Sequence, residues 1–297
     1  MRAVSHNPKS TLAAALALAL ILLVAGLRAA SAQDEVSVRF DFQNIRQGQV
    51  GVVYVSGANL VQGTATAFER EYQCYPISGG LACLLAAPMA QVIRAYPVAF
   101  TFYRADGTVV QRGSNISVAN GGFIAEPFTL PNYLNYLLRD DIQQNEDMRL
   151  GDVYDIVTPK KYWEGTFNPP VNSPLISSFG AVRTYTNTGA VRRHTGVDLR
   201  ATMGTPVLAS ASGRVALSRP MDIHGNNVVI DHGYGIFTEY AHLSERYVVP
   251  GQFVLQGDVI GLSGNTGRST GPHIHWEVSV GGVVVNPLVF AGLRLPQ

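Results

Sequence analysis

The sequence predicts a mainly β protein, with two β-rich regions joined by a short helical segment. Of its 297 residues 46% are hydrophobic and only 14% are charged, and they include 30 Gly and 16 Pro. This composition excludes both a disordered chain, which needs low hydrophobicity and high net charge, and a Glu-, Lys- and Ala-rich coiled coil. The formal net charge of +1 offers no basic surplus for a phosphate backbone, so nucleic acid is not expected as a partner.

Residues 1–32 are predicted to be a signal peptide. Arg2 and Lys9 precede an Ala- and Leu-rich run from residue 12 to residue 27, and residues 30–32 (Ala-Ser-Ala) match a signal-peptidase site. The run would span roughly 24 Å as a helix, which is short of the roughly 30 Å hydrocarbon core. The alternative is an uncleaved membrane anchor. We expect an exported protein of the periplasm or extracellular cell envelope, with no stable membrane insertion after signal cleavage.

Residues 33–128 are predicted to form an immunoglobulin-like β-sandwich. Apolar and polar residues alternate in short runs, as in residues 36–42 (VSVRFDF), and Gly-rich turns separate these runs. Short strands at this spacing are typical of antiparallel sandwiches. Cys74 and Cys83 flank the turn at residues 78–80, and in an oxidising compartment they are expected to form a disulfide that closes a hairpin. Two unpaired buried thiols are the alternative.

Residues 129–174 are predicted to be a helical linker, followed by a second β-rich region over residues 175–297. Apolar residues recur at helical spacing in the linker: Leu134, Leu137, Leu138, Ile142 and Met148. Acidic residues are expected on its wet face: Asp140, Asp141, Glu146 and Asp147. Prolines between residues 159 and 174 end the helical pattern.

Histidines are concentrated in the second β-rich region. Six of the seven lie between residues 194 and 275: His194, His224, His232, His242, His273 and His275. Neutral imidazole is the commonest zinc ligand in proteins, and two or three imidazoles beside a carboxylate form an open catalytic site. The clustering therefore points to a metal centre in this region.

Two of these histidines form a pair on a predicted strand. Residues 273–280 (HIHWEVSV) alternate in the manner of a strand, which places His273 and His275 on one face and Ile274 and Trp276 on the other. Two solvent-facing histidines on an edge strand are the alternative. Glu277, two residues past His275, could hydrogen-bond a ligand, but an ordinary exposed strand residue is expected.

His194 and Asp198 lie four positions apart. Gly196 and its β-branched neighbours disfavour a helix there, so a loop leading into a strand is expected. A surface pair is the alternative. His242 follows a strand-like segment and otherwise fits a core histidine, while His232 is expected to be structural and His224 to lie in a loop.

A series of short motifs runs through residues 175–290: SFG at 178–180, HTGVD at 194–198, GNNVVIDHG at 225–233, YAHL at 240–243, GDVIG at 257–261, GNTG at 264–267 and HIH at 273–275. The series resembles, in the same order, the lysostaphin-like (LytM-type) zinc endopeptidases of bacterial cell walls. The resemblance covers over a third of the chain and implies a compact antiparallel β-sheet core with a zinc site in a groove at its edge. The segment before it also resembles the N-terminal region of some exported members.

The resemblance implies one Zn²⁺ per chain, bound by His194, Asp198 and His275. Two His and one Asp leave a fourth tetrahedral position free. His242 and His273 become the catalytic pair, as general base and as donor to the developing oxyanion, with the division between them open. The implied activity is a secreted metalloendopeptidase that hydrolyses peptide cross-links or stem peptides of peptidoglycan.

Other functions are compatible with the same resemblance. A catalytically silent module that binds the cell wall or activates an amidase is the main alternative, although such modules typically lack ligands that are present here. Carboxypeptidases and amidases with similar zinc geometry have different motif spacings. Tyr185 is the tyrosine nearest to where some members place a catalytic one. Residues 33–128 contain no His, so they are expected to position the enzyme or bind a protein partner.

Overall fold

A computed structural model describes residues 35–297, and within them the chain is mainly β, as predicted. The signal peptide predicted at residues 1–32 lies outside the described residues. Every helix in residues 35–297 is too short or too polar to cross a bilayer.

The N-terminal part is built of strands. They are β1 (Ser37–Phe40), β2 (Asn44–Arg46), β3 (Val50–Ser56), β4 (Leu60–Ala67), β5 (Arg70–Ile77), β6 (Gly80–Ala86), β7 (Ala95–Arg104), β8 (Val109–Ala119) and β9 (Ala125–Phe128). The first eight form one sheet in the order β1-β3-β6-β5-β4-β7-β8-β2. Since only residues 41–43 join β1 to β2 at the opposite end of that order, the sheet must curl until its edges approach. An immunoglobulin-like sandwich is one particular form of such a curled sheet, and it stays a prediction.

Strands β5 and β6 form the hairpin that the two cysteines were predicted to close. Cys74 and Cys83 lie directly opposite each other with Cα atoms 4.1 Å apart, and their sulfur atoms are bonded. Both side chains are buried. The predicted disulfide is confirmed.

The linker contains the predicted helical structure, as a 3₁₀ helix (Asn132–Leu138) and helix α1 (Asp140–Tyr154). The prediction of which side of α1 faces solvent was partly wrong, because Met148 is 61% exposed whereas Glu146 is only 1% exposed. Glu146 turns inward because its carboxylate accepts hydrogen bonds from a turn of the second β-rich region. Helical periodicity cannot reveal a hydrogen-bonding partner that lies more than seventy residues along the chain.

The C-terminal part contains twelve further strands among the described residues. They are β10 (Leu175–Ser177), β11 (Val182–Tyr185), β12 (Val191–Arg193), β13 (Val197–Arg200), β14 (Pro206–Leu208), β15 (Gly213–Met221), β16 (Gly225–Gly233), β17 (Ile236–Arg246), β18 (Phe253–Val254), β19 (Val259–Ser263), β20 (His273–Val280) and β21 (Val283–Val285), and helix α2 (Pro287–Ala291) follows. The main sheet has the path β10-β13-β20-β17-β16-β15-β18, with β14, β19 and β21 attached to it. All pairings within this sheet are antiparallel.

The two parts share one hydrophobic core. Trp163 of the linker packs edge-on against Tyr75 of the first sheet and against Tyr234, with ring centroids 5.3 and 6.5 Å apart. Strand β9 pairs in parallel with β11 and so joins the first region to the second by backbone hydrogen bonds. The linker and both β-rich regions therefore pack as one body, and the domain boundaries at 128 and 174 stay predictions.

Candidate metal centre

Neighbouring strands bring the predicted metal residues together. Strands β13 and β20 are antiparallel, and their register places Asp198 directly opposite His275. His194 lies just before β13, where its backbone N–H donates to the carbonyl of Ala181 at 2.9 Å. His194 and His275 are thus in contact although 81 positions separate them in the chain.

Gly196 permits the close approach of the His194–Asp198 segment to β20. A Cβ atom at this position would lie 2.4 Å from the carbonyl oxygen of Trp276 and 2.9 Å from Cε1 of His275. Neither contact can be relieved cheaply, because one neighbour is backbone and the other is a buried ring. The glycine of the HTGVD motif is therefore a packing requirement of the site.

Three side-chain atoms converge at this point. Nε2 of His194, Oδ1 of Asp198 and Nδ1 of His275 lie 2.9–3.0 Å from one another, and all three side chains are buried. Among residues 35–297 they make up one of two groups whose ligand atoms are close enough to share a metal ion.

The outward-facing atoms of the same side chains are all occupied. Nδ1–H of His194 donates to the carbonyl of Ser178 at 2.9 Å, and Nε2–H of His275 donates to Oε1 of Glu277 at 2.8 Å. Arg183 donates to Oδ2 of Asp198 at 2.5 Å. With the ring protons placed on these outward bonds, the three converging atoms are all acceptors. Such a donor set, with its supporting hydrogen bonds, fits a divalent cation.

The electrostatics of the cluster favour the same cation. Burial alone would raise the pKa of Asp198, but the charge and hydrogen bond of His194 lower it well below its ordinary value. Burial lowers the pKa of His194. Burial would also lower the pKa of His275, yet hydrogen bonds to Asp198 and Glu277 outweigh it and raise that pKa to about 9. The carboxylates of Asp198 and Glu277 are thus ionised, and their negative potential attracts positive charge to this point, either a proton on His275 or a metal cation that displaces it.

His242 reaches the same cavity because strand β17 is irregular there. Ala241 lies opposite His275, so these two side chains share one face of the sheet. In a regular strand the next residue, His242, would point to the other face. The register shifts at this position, and His242 has φ +60°. The resulting bulge turns its side chain towards the metal residues, and its ring centroid lies 5.9 Å from that of His275.

His242 and His273 present equivalent atoms to the cavity. Nδ1–H of His242 donates to the carbonyl of Thr266, and Nδ1–H of His273 donates to the carbonyl of Gly271, each at 2.8 Å. Nε2 of His273 lies 3.5 Å from Oδ1 of Asp198. The ring centroids of His242 and His273 are 4.8 Å apart. Each Nε2 therefore keeps a lone pair beside the metal residues. The five predicted site residues come together, while their roles stay predictions.

A buried carboxylate cluster lies directly behind His275. Glu277 is 2% exposed, so the expectation of an exposed strand residue was wrong. Besides His275, it accepts a hydrogen bond from the hydroxyl of Thr195. His224 lies in the turn before β16 and is also buried, with Nδ1–H donating to Glu146 at 2.5 Å and Nε2 3.7 Å from Glu277. His224, His275 and Glu277 form the second group that could hold a metal.

Arg183 and this cluster were not predicted from the sequence. Arg183 stands fifteen positions before Asp198 and outside every motif, and it also contacts Glu126 of β9 at 3.3 Å. His232 was expected to be structural, and it is buried with its ring nitrogens bonded to Ser212 and Thr238. The alternation of side chains along β20 could have indicated the position of Glu277, because it places residues 275 and 277 on the same face.

The match to a family model decides the identity of this region. Residues 192–287 match peptidase family M23, and the matched range contains all five predicted site residues. Residues 192–287 form a peptidase family M23 domain.

Known proteins resemble this M23 domain and its surroundings. Peptidoglycan DD-endopeptidase ShyA of Vibrio cholerae is 46% identical over 121 residues, which are 40% of this chain and 28% of that protein. DD-carboxypeptidase/endopeptidase Mpg of Neisseria meningitidis is 44% identical over 130 residues, or 43% of this chain and 30% of that protein. The chain thus spans less than a third of the length of these relatives.

A solved structure extends the likeness beyond the M23 domain. The crystal structure of a candidate peptidase M23 from Pseudomonas aeruginosa covers 86% of this chain and 97% of its own, with a TM-score of 0.63 and 25% identity. The shared fold therefore includes much of the N-terminal part as well.

Proposed function

We propose that this protein is a zinc metalloendopeptidase that hydrolyses peptide cross-links or stem peptides of bacterial peptidoglycan. The observation that carries the proposal is the convergence of His194 Nε2, Asp198 Oδ1 and His275 Nδ1, three acceptors with their outer atoms already bonded. The names of the relatives support the substrate, since ShyA is a peptidoglycan DD-endopeptidase and Mpg a DD-carboxypeptidase/endopeptidase.

The proposed metal is one Zn²⁺ held by His194, Asp198 and His275. Two imidazoles and one carboxylate suit zinc better than magnesium or calcium, which prefer oxygen ligands. Bound zinc supplies a Lewis acid that polarises the scissile carbonyl and acidifies a water molecule. Glu277, behind His275, holds the ligand ring in the orientation that presents Nδ1 to the metal.

His242 and His273 are proposed to move the protons of the reaction. Burial lowers the pKa of His242 well below its ordinary value, and the neighbouring His273 and His275 lower it further. His242 is therefore neutral at pH 7 and its Nε2 can accept a proton from the attacking water. His273 is proposed to donate a hydrogen bond from Nε2 to the oxyanion that develops on the substrate, which requires a proton on that atom in addition to the one on Nδ1.

The rest of the chain is assigned in the same proposal. Residues 1–32 act as a signal peptide, so that the protein works in the cell envelope where peptidoglycan lies. Residues 33–128 position the enzyme or bind a partner, residues 129–174 link them to the catalytic domain, and residues 175–297 carry the reaction. The disulfide in β5–β6 supports an oxidising compartment.

Digestion of purified sacculi tests the proposed activity. The protein is incubated with sacculi as purified, after treatment with a chelator, and after restoring zinc, and the fragments are separated and their masses determined. New amino termini within peptides are expected, lost with the chelator and regained with zinc. Free lactyl groups would instead indicate an amidase, and the absence of products in all three samples would indicate a silent wall-binding module.

A further inference from the structure

A groove rich in arginine leads away from the metal residues. The cavity at His194, His242 and His275 is small, about 40 Å³, and it adjoins a larger groove of about 440 Å³ beside helix α1. Residues lining both are Arg192, Arg193, Thr195, His224 and Arg268. The larger volume lies in the range of ordinary ligand sites, so a substrate that reaches the metal passes these guanidinium groups.

The arginines around the metal residues differ in their partners. Arg183 is paired with Asp198 at 2.5 Å, and Arg192 with Asp140 at 2.6 Å. Arg268 donates only to neutral groups, the carbonyl of Leu137 at 3.2 Å and the side-chain amide of Gln143 at 3.0 Å. Among the described residues no carboxylate oxygen lies within 4 Å of its guanidinium.

Arg268 is held firmly in this position. It follows Gly267, whose φ is +75° and whose added Cβ would meet the carbonyl oxygen of Ile223 at 2.3 Å. The backbone N–H of Arg268 donates to the same carbonyl at 2.8 Å, and its guanidinium lies 5.8 Å from the ring centroid of Tyr185. The side chain is therefore pre-organised beside the metal cavity.

An unpaired cation in this place is costly. Burial lowers the pKa of Arg268, and the charges of Arg183 and Arg192 add to this shift, while Tyr185 and Glu146 oppose it. Partly buried charges are normally paired, and the planar guanidinium with its fork of donors suits a carboxylate. An anion that arrives with the substrate would supply the missing partner of Arg268.

We propose that Arg268 binds a free carboxylate of the substrate peptide, the one attached to the α-carbon that bears the scissile nitrogen. This inference rests on the proposed function and names the substrate feature that the same site recognises. Where the scissile bond joins two carbon centres of D configuration, the carbon of the leaving amine can carry this carboxylate. This holds for cleavage by an endopeptidase and for cleavage by a carboxypeptidase. One cation beside the metal would therefore serve both reactions.

Matched acid and amide substrates test the inference. Cross-linked peptide dimers are prepared with the acceptor carboxylate either free or converted to a primary amide, and kcat and KM are measured for each. The zinc-loaded wild-type protein is compared with Arg268→Gln and Arg268→Lys, and with Arg219→Gln, an exposed arginine on β15, as the control. Metal content and circular dichroism establish that each variant is folded and loaded.

The wild type is expected to prefer the acid by about tenfold to a hundredfold in kcat/KM, the worth of a hydrogen bond to a charged group. Arg268→Gln should bring that ratio close to one, because kcat/KM should fall for the acid substrate alone. Arg268→Lys should keep part of the preference, and Arg219→Gln all of it. Equal cleavage of acid and amide by the wild type would overturn the inference, as would an unchanged ratio in Arg268→Gln.

A binding measurement separates this inference from the proposed function. Calorimetry with the monomeric product peptide, as acid and as amide, requires no hydrolysis. If the wild type cleaves neither dimer, the proposed activity fails, but tighter binding of the acid that disappears in Arg268→Gln still supports the carboxylate site. Equal binding of acid and amide overturns it whether or not the protein is an enzyme.

Discussion

At the scale of single residues, some side chains are proposed to bind the metal and others to act on the substrate. His194→Ala removes one of three converging ligand atoms, so we expect the bound zinc and the activity to be lost together. His242→Ala should keep the zinc and lower the rate about 10²- to 10⁴-fold, the usual contribution of a general base. Metal analysis and sacculus digestion on the same samples check both. Loss of zinc from His242→Ala would contradict this division.

Glu277 provides a second prediction at this scale. Glu277→Gln preserves the shape of the side chain but removes the charge that holds Nε2–H of His275. We expect the zinc affinity to fall about tenfold to a hundredfold, as for other hydrogen-bonding partners of metal ligands. Competition with a chromophoric chelator measures it, and Glu245→Gln, an exposed residue of β17, is the control. An unchanged affinity would show that Glu277 does not support the ligand.

The sequence could predict that the five candidate site residues lie together, because they belong to a motif series that resembles one family. It could not identify Arg183, which holds Asp198 from fifteen positions away, or the burial of Glu277. A strand pattern gives the face of a residue but not what covers that face. His242 is the clearest case, because only the bulge in β17 turns its ring towards the metal residues.

At the scale of elements, the carboxylate of Glu146 is one of the groups that attach helix α1 to the M23 domain. Glu146 accepts the backbone N–H groups of Ile223 and His224 at 2.9 and 2.8 Å, as well as Nδ1–H of His224. Farther along the helix, Leu150 and Tyr154 pack on the same sheet. The helix therefore supports the turn that carries His224, beside the candidate metal residues, although the helix lies outside the range that matches the family.

This attachment predicts a dependence of stability on pH. Burial would raise the pKa of Glu146, but the hydrogen bond and charge of His224 outweigh it and lower the pKa from 4.5 to about 2. A carboxyl group with a lowered pKa stabilises the fold fully above about pH 4.5, and this contribution is lost as the pH falls towards 2. Glu146→Gln should lower the free energy of unfolding by about 2–4 kcal/mol at pH 7.

Denaturant unfolding at pH 7, 4 and 3 measures that difference. The difference in unfolding free energy between the wild type and Glu146→Gln should narrow as the pH falls below about 4.5, since the unfolded wild-type chain then takes up a proton at Glu146 that the folded protein does not. Asp152→Asn, an exposed acid on the same helix, should change little at any pH. A gap of constant size across the range would mean that the Glu146 charge does not fasten the helix.

Element prediction succeeded where local pattern dominates. The helical segment between residues 130 and 156 and the hairpin closed by Cys74 and Cys83 were both found from spacing and turn residues. The inward face of α1 was missed because a buried Glu is the opposite of what hydrophobic periodicity expects.

At the scale of the whole molecule, composition predicted the mainly β class, and the motif series predicted the M23 domain. Neither indicated how closely the parts are joined. The parallel pairing of β9 with β11 and the packing of Trp163 on Tyr75 depend on contacts between remote segments. Such contacts leave no periodic trace in a sequence. The arginine groove likewise forms only when α1 lies beside β12 and the loop that carries Arg268.

The fold of the whole molecule brings the imidazoles of His194 and His275 and the carboxylate of Asp198 to a single point. A crystal structure of the zinc-loaded protein, with anomalous data at the zinc edge, tests this most directly. We predict one ion bound by His194 Nε2, Asp198 Oδ1 and His275 Nδ1, with its fourth position free of protein atoms. An ion bound instead between His224 and Glu277, or a protein side chain filling the fourth position, would contradict the account.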